Sequence, residues 1–124
     1  CEAGDIVARF AAPPTAVLSM ASDLLAAARD ITGKARVVVD CGAALLRLHV
    51  SCGSIAEITT VVEICRRMSS AVSAPLLLER LPIAHKTDVD VWSGPTLGLP
   101  LMRRLKEKFD PDGVLAPGRF VGGI

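Results

Sequence analysis

The feature that most limits the fold of this chain is the order in which strand-like and helix-like hydrophobic patterns follow one another. Over residues 4–81, stretches with apolar residues at every second position, typical of half-buried strands, alternate with stretches that have helical spacing. The predicted strands are 4–12, 35–40, 45–52 and 74–81, and the predicted helices are 15–31 and 54–72. This β-α-β-β-α-β order predicts a ferredoxin-like α+β fold, with two helices on one face of an antiparallel sheet and the first and third strands in its centre.

Polar and small residues mark the ends of the two predicted helices. Thr15 is expected to cap the first helix, and Gly33 fits just beyond its end. Ser54 and Glu57 form a capping box at the start of the second helix, where each side chain can satisfy a free backbone N–H group. The apolar side of that helix is predicted to contain Ile55, Ile58, Val61, Val62, Ile64, Cys65 and Met68.

The chain is predicted to divide into a ferredoxin-like domain, residues 1–81, and a second part, residues 82–124. The second part begins with a loop over residues 82–98 and continues with a third helix, for which Pro100 suits the first turn. Asp110 precedes a proline and is expected to end this helix. Its predicted apolar side consists of Leu101, Met102, Leu105 and Phe109.

The segment after the third helix, FDPDGVLAPGRF, is unusually rich in residues that preset the backbone. It contains two prolines and two glycines, which favour tight turns and lower the entropy cost of ordering. We therefore expect an ordered tail rather than a frayed end. Burial of Val114, Leu115 and Phe120 is expected to anchor it.

Period-two alternation assigns the polar side chains of the central strands to the sheet face away from the helices. Arg9 on the first strand and Arg47 and His49 on the third belong to this face, because their neighbours form the apolar, helix-facing set. Two guanidinium groups on adjacent strands suit a small carboxylate substrate, which each can bind with two parallel hydrogen bonds. The alternative is that all three are solvated polar residues on an exposed sheet face. The alternation alone supports both interpretations.

Composition and charge disfavour several classes of function. The formal net charge is +1, so the totals indicate no nucleic-acid partner. An RNA-binding sheet would also need aromatic residues on its central strands, where only Phe10 occurs, on the helix-facing side. The four cysteines form no CxxC pair and complete no zinc pattern with the two histidines, so we predict reduced thiols and no metal site. The longest apolar runs are too short to span a bilayer.

The start of the chain and its few aromatic residues predict that it is a part of a longer protein. It begins at Cys1 without an initiator methionine or a leader-like segment, and it has few aromatic residues for an independent domain. It contains neither a GxGxxG pattern nor a P-loop. We expect that this portion alone does not bind a dinucleotide tightly.

The C-terminal sequence LMRRLKEKFDPDGVLAPGRFVGGI resembles the end of FAD-linked oxidases of the vanillyl-alcohol oxidase type, in particular the FAD-binding subunits of bacterial glycolate oxidases. Members of that family end in a helix followed by F-D-P-x-G-[VIL]-[LF]-N-P-G-[RK]. They often read H-A-G-N-G before the third strand of the cap, or substrate, domain, whose fold the ferredoxin-like body here resembles. In this chain Ala116 replaces the usual asparagine, and residues 40–44 read D-C-G-A-A.

The resemblance implies that the chain is the cap portion of a flavin-dependent 2-hydroxy-acid oxidoreductase of the glycolate type. FAD would be bound mainly by a preceding N-terminal domain. Pro117, Gly118 and Arg119 would lie near the flavin, and Arg47 or Arg9 would hold the carboxylate of the small 2-hydroxy acid.

The resemblance also implies partners and a location for the whole enzyme. It would work beside a second flavoprotein and an iron–sulfur subunit, in the cytoplasm or at a membrane through those subunits. No general base is assigned, although His49, predicted to bind substrate, is a candidate because histidine exchanges protons near neutral pH.

The competing interpretation is a free-standing ferredoxin-like module that binds a ligand or dimerises and has no catalytic activity. Apolar residues on the uncovered sheet face, Val7, Leu45 and Leu77, favour pairing of this face with another surface.

Overall fold

The elements predicted over the first 81 residues form in the predicted order. The structure is a computed structural model that describes residues 4–85, 89–93 and 98–124. Its main elements are β1 (Gly4–Ala11), α1 (Val17–Thr32), β2 (Ala35–Asp40), β3 (Leu45–Cys52), α2 (Ile55–Ala71), β4 (Leu76–Arg80), β5 (Trp92–Ser93) and α3 (Leu99–Phe109). The ferredoxin-like α+β fold is therefore confirmed. The chain divides into two compact units, Cys1–Gly94 and Pro95–Ile124, which are described separately below.

The sheet of the first unit is antiparallel and has the strand order β2-β3-β1-β4-β5. Among the four predicted strands, β1 and β3 are central, as expected. β5 is an addition, since residues 82–98 were predicted to be loop, and Ile83–His85 also form a 3-10 turn. β4 would otherwise leave backbone groups unpaired at the sheet edge, and Leu78 N donates to Val91 O there at 2.8 Å.

The core lies between one face of this sheet and the two helices. Alternate residues of the central strands point into it, and Phe10 is fully buried on the helix side as predicted. The helices contribute side chains at a spacing of three or four residues. The main core residues are Ile6, Ala8 and Phe10 of β1, Leu46, Leu48 and Val50 of β3, Met20, Leu24 and Ala28 of α1, and Ile58, Val61, Val62 and Cys65 of α2. Each large side chain buried here stabilises the fold by about 1.5–3 kcal/mol relative to exposure.

The first helix ends as predicted but begins differently. Thr15 does not cap α1: the N-cap residue is Ala16, which makes no side-chain cap hydrogen bond. Instead, the carbonyl oxygen of Pro13 accepts from the backbone N–H groups of Ala16 and Val17, so a proline-initiated turn leads into the helix. Gly33 follows the last turn with φ 67° and donates its N–H to Arg29 O, as expected for a left-handed C-cap.

The capping box of α2 is present in a slightly shifted form. Ser54 Oγ accepts from Glu57 N at 3.2 Å, while the Glu57 carboxylate accepts from Gly53 N at 2.6 Å, one residue earlier than predicted. Ile55 was assigned to the apolar side, but it is 53% exposed because it occupies the first position of the helix. Ser69, missed by the pattern, is buried and donates to Ala74 O at 2.6 Å.

The second unit consists of α3 and an ordered tail. The helix has a proline in its first turn, as predicted, and ends at Asp110, whose N–H donates to Lys106 O at 2.8 Å. The predicted apolar side of α3 is not buried: Leu101, Met102, Leu105 and Phe109 are all exposed.

The tail is held by polar contacts rather than by the predicted burial. Val114 is 73% exposed, Leu115 is 65% exposed, and Phe120 is also exposed, so the expectation that they anchor the tail by burial is wrong. The Asp110 carboxylate accepts from Val114 N at 2.8 Å and from Leu115 N at 3.0 Å. Lys106 Nζ donates to the same carboxylate and to Leu115 O. The Asp-Pro step thus both ends the helix and fixes the first turn of the tail.

Candidate functional site

The two predicted arginines lie side by side on the sheet face that the helices leave uncovered. Arg9 of β1 and Arg47 of β3 are direct partners in the antiparallel register. Their side chains are 35% and 39% exposed. The residues immediately before and after each arginine in its strand face the helices and are buried. The predicted face assignment is correct, and the sheet brings both guanidinium groups to one place.

A third residue, Glu79, joins them and was not anticipated. In the pairing of β1 with β4, Ala8 faces Leu78 but Val7 faces Arg80, so Glu79 is the extra residue of a β-bulge. Its Oε1 lies 3.4 Å from Arg9 Nε, and its Oε2 lies 3.2 Å from Arg47 Nε. The chain therefore supplies one carboxylate of its own to the place where an external carboxylate was expected.

The Arg9–Glu79–Arg47 cluster still carries an excess of positive charge. Both contacts to Glu79 use Nε, and no hydrogen bond joins a terminal nitrogen of either arginine to another residue in the described part of the chain. Because the pairs are partly solvated, each contributes only about 0.2–1 kcal/mol to stability. Their main effect is orientation: Glu79 bridges the two guanidinium groups while leaving their outer edges available for two-point binding of an anion.

His49 shares the face but lies in a different environment. It is paired with Val7 of β1 and with Arg36 of β2. It lines a cavity of about 640 Å³ to which neither Arg9 nor Arg47 contributes. The structure thus brings the two arginines together and places His49 beside them, at the end of the sheet where β1 and β2 begin.

The predicted flavin-proximal residues occupy a turn in the second unit. Arg119 N donates to Ala116 O at 3.2 Å, and Gly118 between them has φ 70°. Pro117, Gly118 and Arg119 are all exposed. Their assignment to a flavin site stays a prediction.

An apolar groove of about 510 Å³ runs beside that turn within the second unit. Met102 and Leu105 of α3 line one part of it, and Leu115, Arg119 and Phe120 of the tail line another. The groove therefore contains two residues of the predicted apolar side of α3, Met102 and Leu105, and two of the three predicted tail anchors, Leu115 and Phe120.

Two alanines adopt backbone conformations that alanine disfavours. Ala44 has φ 52° and Ala116 has φ 45°, in the left-handed region that glycine and asparagine enter most readily. These are the positions at which the family pattern has glycine, in H-A-G-N-G, and asparagine, in N-P-G.

The cysteines are separated by burial rather than paired. Cys41, Cys52 and Cys65 are free, and only Cys41 is exposed. Burial raises the pKa of the Cys52 thiol to about 11 and that of Cys65 to about 12, so both stay protonated near neutral pH. Among the described residues, no group of three or more His, Cys, Asp or Glu side chains could hold a metal ion.

Comparison with known proteins adds no assignment. A search with this chain found no matching family model, no matching curated protein and no matching solved structure. No helix in the described part of the chain combines the length and apolar character needed to cross a membrane.

Proposed function

We propose that this chain is the C-terminal cap portion of a flavin-dependent 2-hydroxy-acid oxidoreductase of the glycolate type, covering FAD that a separate N-terminal domain holds. The observation that carries the proposal is the Arg9–Glu79–Arg47 cluster at the centre of an uncovered sheet face. A pair of half-buried guanidinium groups held in register suits recognition of a small carboxylate. The C-terminal sequence pattern supports the flavin part of the proposal.

In this proposal the two arginines orient the substrate. Their outer nitrogens donate to the substrate carboxylate, while Glu79 keeps the guanidinium groups from rotating away. A carboxylate fixed at two points has a defined position for its α-carbon, which is the atom that must face the acceptor. His49, on the same face and two residues from Arg47, is the candidate to accept the hydroxyl proton.

The described residues fit one part of a flavin site. Val7, Leu45 and Leu77 are half-buried on the uncovered face near the arginines and offer an apolar surface to a planar ring. The sequence has no glycine-rich loop for a pyrophosphate, so the rest of FAD would need the N-terminal domain. When bound, FAD would accept the hydride from the substrate. Pro117, Gly118 and Arg119 would approach the cofactor edge.

The same proposal includes the partners of the whole enzyme. A second flavoprotein and an iron–sulfur subunit would pass the electrons on, in the cytoplasm or at a membrane to which those subunits attach. Co-purification of the full-length protein with such subunits would support this part.

The decisive experiment measures substrate affinity in the full-length protein that contains this chain. Replacing Arg47 or Arg9 by Gln removes a charge-assisted hydrogen bond worth about 1.5–3 kcal/mol, so KM for glycolate should rise about 10- to 100-fold while bound flavin stays stoichiometric. Arg67→Gln, on the exposed side of α2, is the matched control and should leave KM unchanged. Purification of the full-length protein without flavin, or an unchanged KM in both variants, would refute the proposal.

A second candidate is a free-standing module that binds a ligand or dimerises without catalysis. The observation that favours it is Val38, an apolar residue of β2 that is 45% exposed on the same uncovered face. Light scattering on this chain distinguishes the two candidates, because a dimer disrupted by Val38→Glu would indicate that the face pairs with a second copy.

A further inference from the structure

The end of the sheet at which β1 and β2 begin forms a concavity with an unusual charge. Its volume of about 640 Å³ is within the range typical of small-molecule sites. Four cationic side chains line it, and Asp5 is the one carboxylate among the lining residues. The cationic residues are Arg29, Lys34, Arg36 and Arg80.

The positive charge of this cavity is mostly uncompensated. Asp5 accepts from Ser51 Oγ at 2.8 Å and lies 3.7 Å from Arg80 Nη1, so it is already shared by two partners. The three other cationic residues form no ion pair with any carboxylate within residues 4–85, 89–93 and 98–124. The whole chain has a net charge of only +1, so this excess is local.

The fold brings these cations together from separate parts of the sequence. Arg29 belongs to the last turn of α1, and the left-handed Gly33 turns the chain so that Lys34 and Arg36 follow at the start of β2. Arg36 pairs with His49 of β3, whose side chain also lines the cavity. The position of Arg29 can also be explained without a ligand, since a cation near a helix C-terminus interacts favourably with the helix dipole. Lys34 and Arg36 lie outside α1, so the helix dipole does not explain their positions.

We propose that this cavity binds a phosphate group, either as free phosphate or as part of a phosphorylated small molecule. Arg36 would bind two of its oxygens, because a guanidinium matches phosphate geometry with parallel hydrogen bonds, and Lys34 and Arg29 would supply further charge. The concave shape and limited volume favour a small ligand over a nucleic-acid strand, which would need a longer basic surface and stacking aromatic residues. The cations that carry this proposal, Arg29, Lys34 and Arg36, have no role in the flavin proposal, although His49 and Val7, which do, also line this cavity.

The test is an NMR titration of the isotope-labelled chain at constant ionic strength. The probes are inorganic phosphate, pyrophosphate and adenosine monophosphate, with sodium chloride as the ionic-strength control. We expect saturable shift changes confined to the amides of residues 33–36 and 49–51. Tighter binding of adenosine monophosphate than of phosphate would identify a phosphorylated small molecule, and the reverse order would identify the free anion. Non-saturating changes, or the same changes with chloride, would overturn the proposal.

Variants show whether the named cations are responsible. Arg36→Gln and, separately, Lys34→Gln should each weaken binding about tenfold, the effect of losing one charge-assisted hydrogen bond. Arg36 and Lys34 are exposed, so both variants should retain the dispersed spectrum of the folded chain. Arg67→Gln, far along α2, should change the dissociation constant less than twofold. Equal affinity in all three variants would refute the assignment.

Discussion

In the turn between β2 and β3, Ala44 has a strained backbone conformation, and we expect this strain to lower the free energy of unfolding. Ala44 has φ 52°, whereas Ala43, its neighbour in the same turn, does not have a positive φ. An L-residue in the left-handed region costs about 1–2 kcal/mol, a cost that glycine avoids. Changing either alanine to glycine also loosens the unfolded chain, at a cost of about 0.4–1 kcal/mol.

The two glycine variants form a matched pair because the unfolded-state cost is common to both. Ala44 is half-buried, so removing its methyl group loses about 0.4 kcal/mol of burial, while Ala43 is exposed. Ala44→Gly should therefore be more stable than Ala43→Gly by about 1 kcal/mol. Ala43→Gly itself should be less stable than the unmodified chain.

Urea denaturation followed by far-ultraviolet circular dichroism measures this difference. With equal m-values, the ordering of midpoints gives the ordering of unfolding free energies. Equal midpoints for the two variants, or a lower midpoint for Ala44→Gly, would show that the left-handed turn is not strained.

The remaining predictions concern titration and thiol access. Alkylation at pH 8, followed by peptide mapping, should modify the exposed Cys41 quickly but Cys52 and Cys65 only after urea is added. The two buried thiols react slowly because they stay protonated, with pKa values of about 11 and 12. Rapid labelling of either would contradict their burial. The hydrogen bond from Lys106 lowers the pKa of Asp110, so its stabilisation of the tail is present above the ordinary carboxyl pKa and is lost as pH falls through the lowered value. The protection factors of the tail amides, which correct for the intrinsic pH dependence of exchange, should therefore fall only at strongly acidic pH. Asp110→Asn should remove that fall, and a loss of protection near neutral pH would exclude this explanation.

Much of the first unit could be predicted because its information is local. The boundaries of β2 and β3 match the sequence prediction, since alternating apolar residues and the intervening turn are both visible over a few residues. The face assignment of Arg9 and Arg47 follows from the same alternation, because the side-chain period of a strand is two.

What could not be predicted depends on pairing between distant segments. The bulge at Glu79 is a property of the register between β1 and β4. Its one signal in the sequence is that Glu79 is an acidic residue directly after three leucines. β5 is defined by its antiparallel pairing with β4, a partner distant in the sequence. Asp110 was recognised as a helix stop, but its role in holding the tail required three further partners to be in place.

The Arg9–Glu79–Arg47 cluster and the basic cavity beside it differ in how much of their positive charge the chain's own carboxylates offset. In the Arg9–Glu79–Arg47 cluster, two cations share one carboxylate, so one positive charge remains, which would suit the monoanion that we propose as substrate. In the cavity beside it, Asp5 is shared by Arg80 and Ser51, and the other cations have no carboxylate partner among the described residues. A second carboxylate ligand would leave that excess largely unmatched, whereas a phosphate group carries more charge and more acceptor oxygens. We therefore expect the two neighbouring sites to prefer different anions, because the chain's own carboxylate offsets half of the charge at the first site and a smaller share at the second.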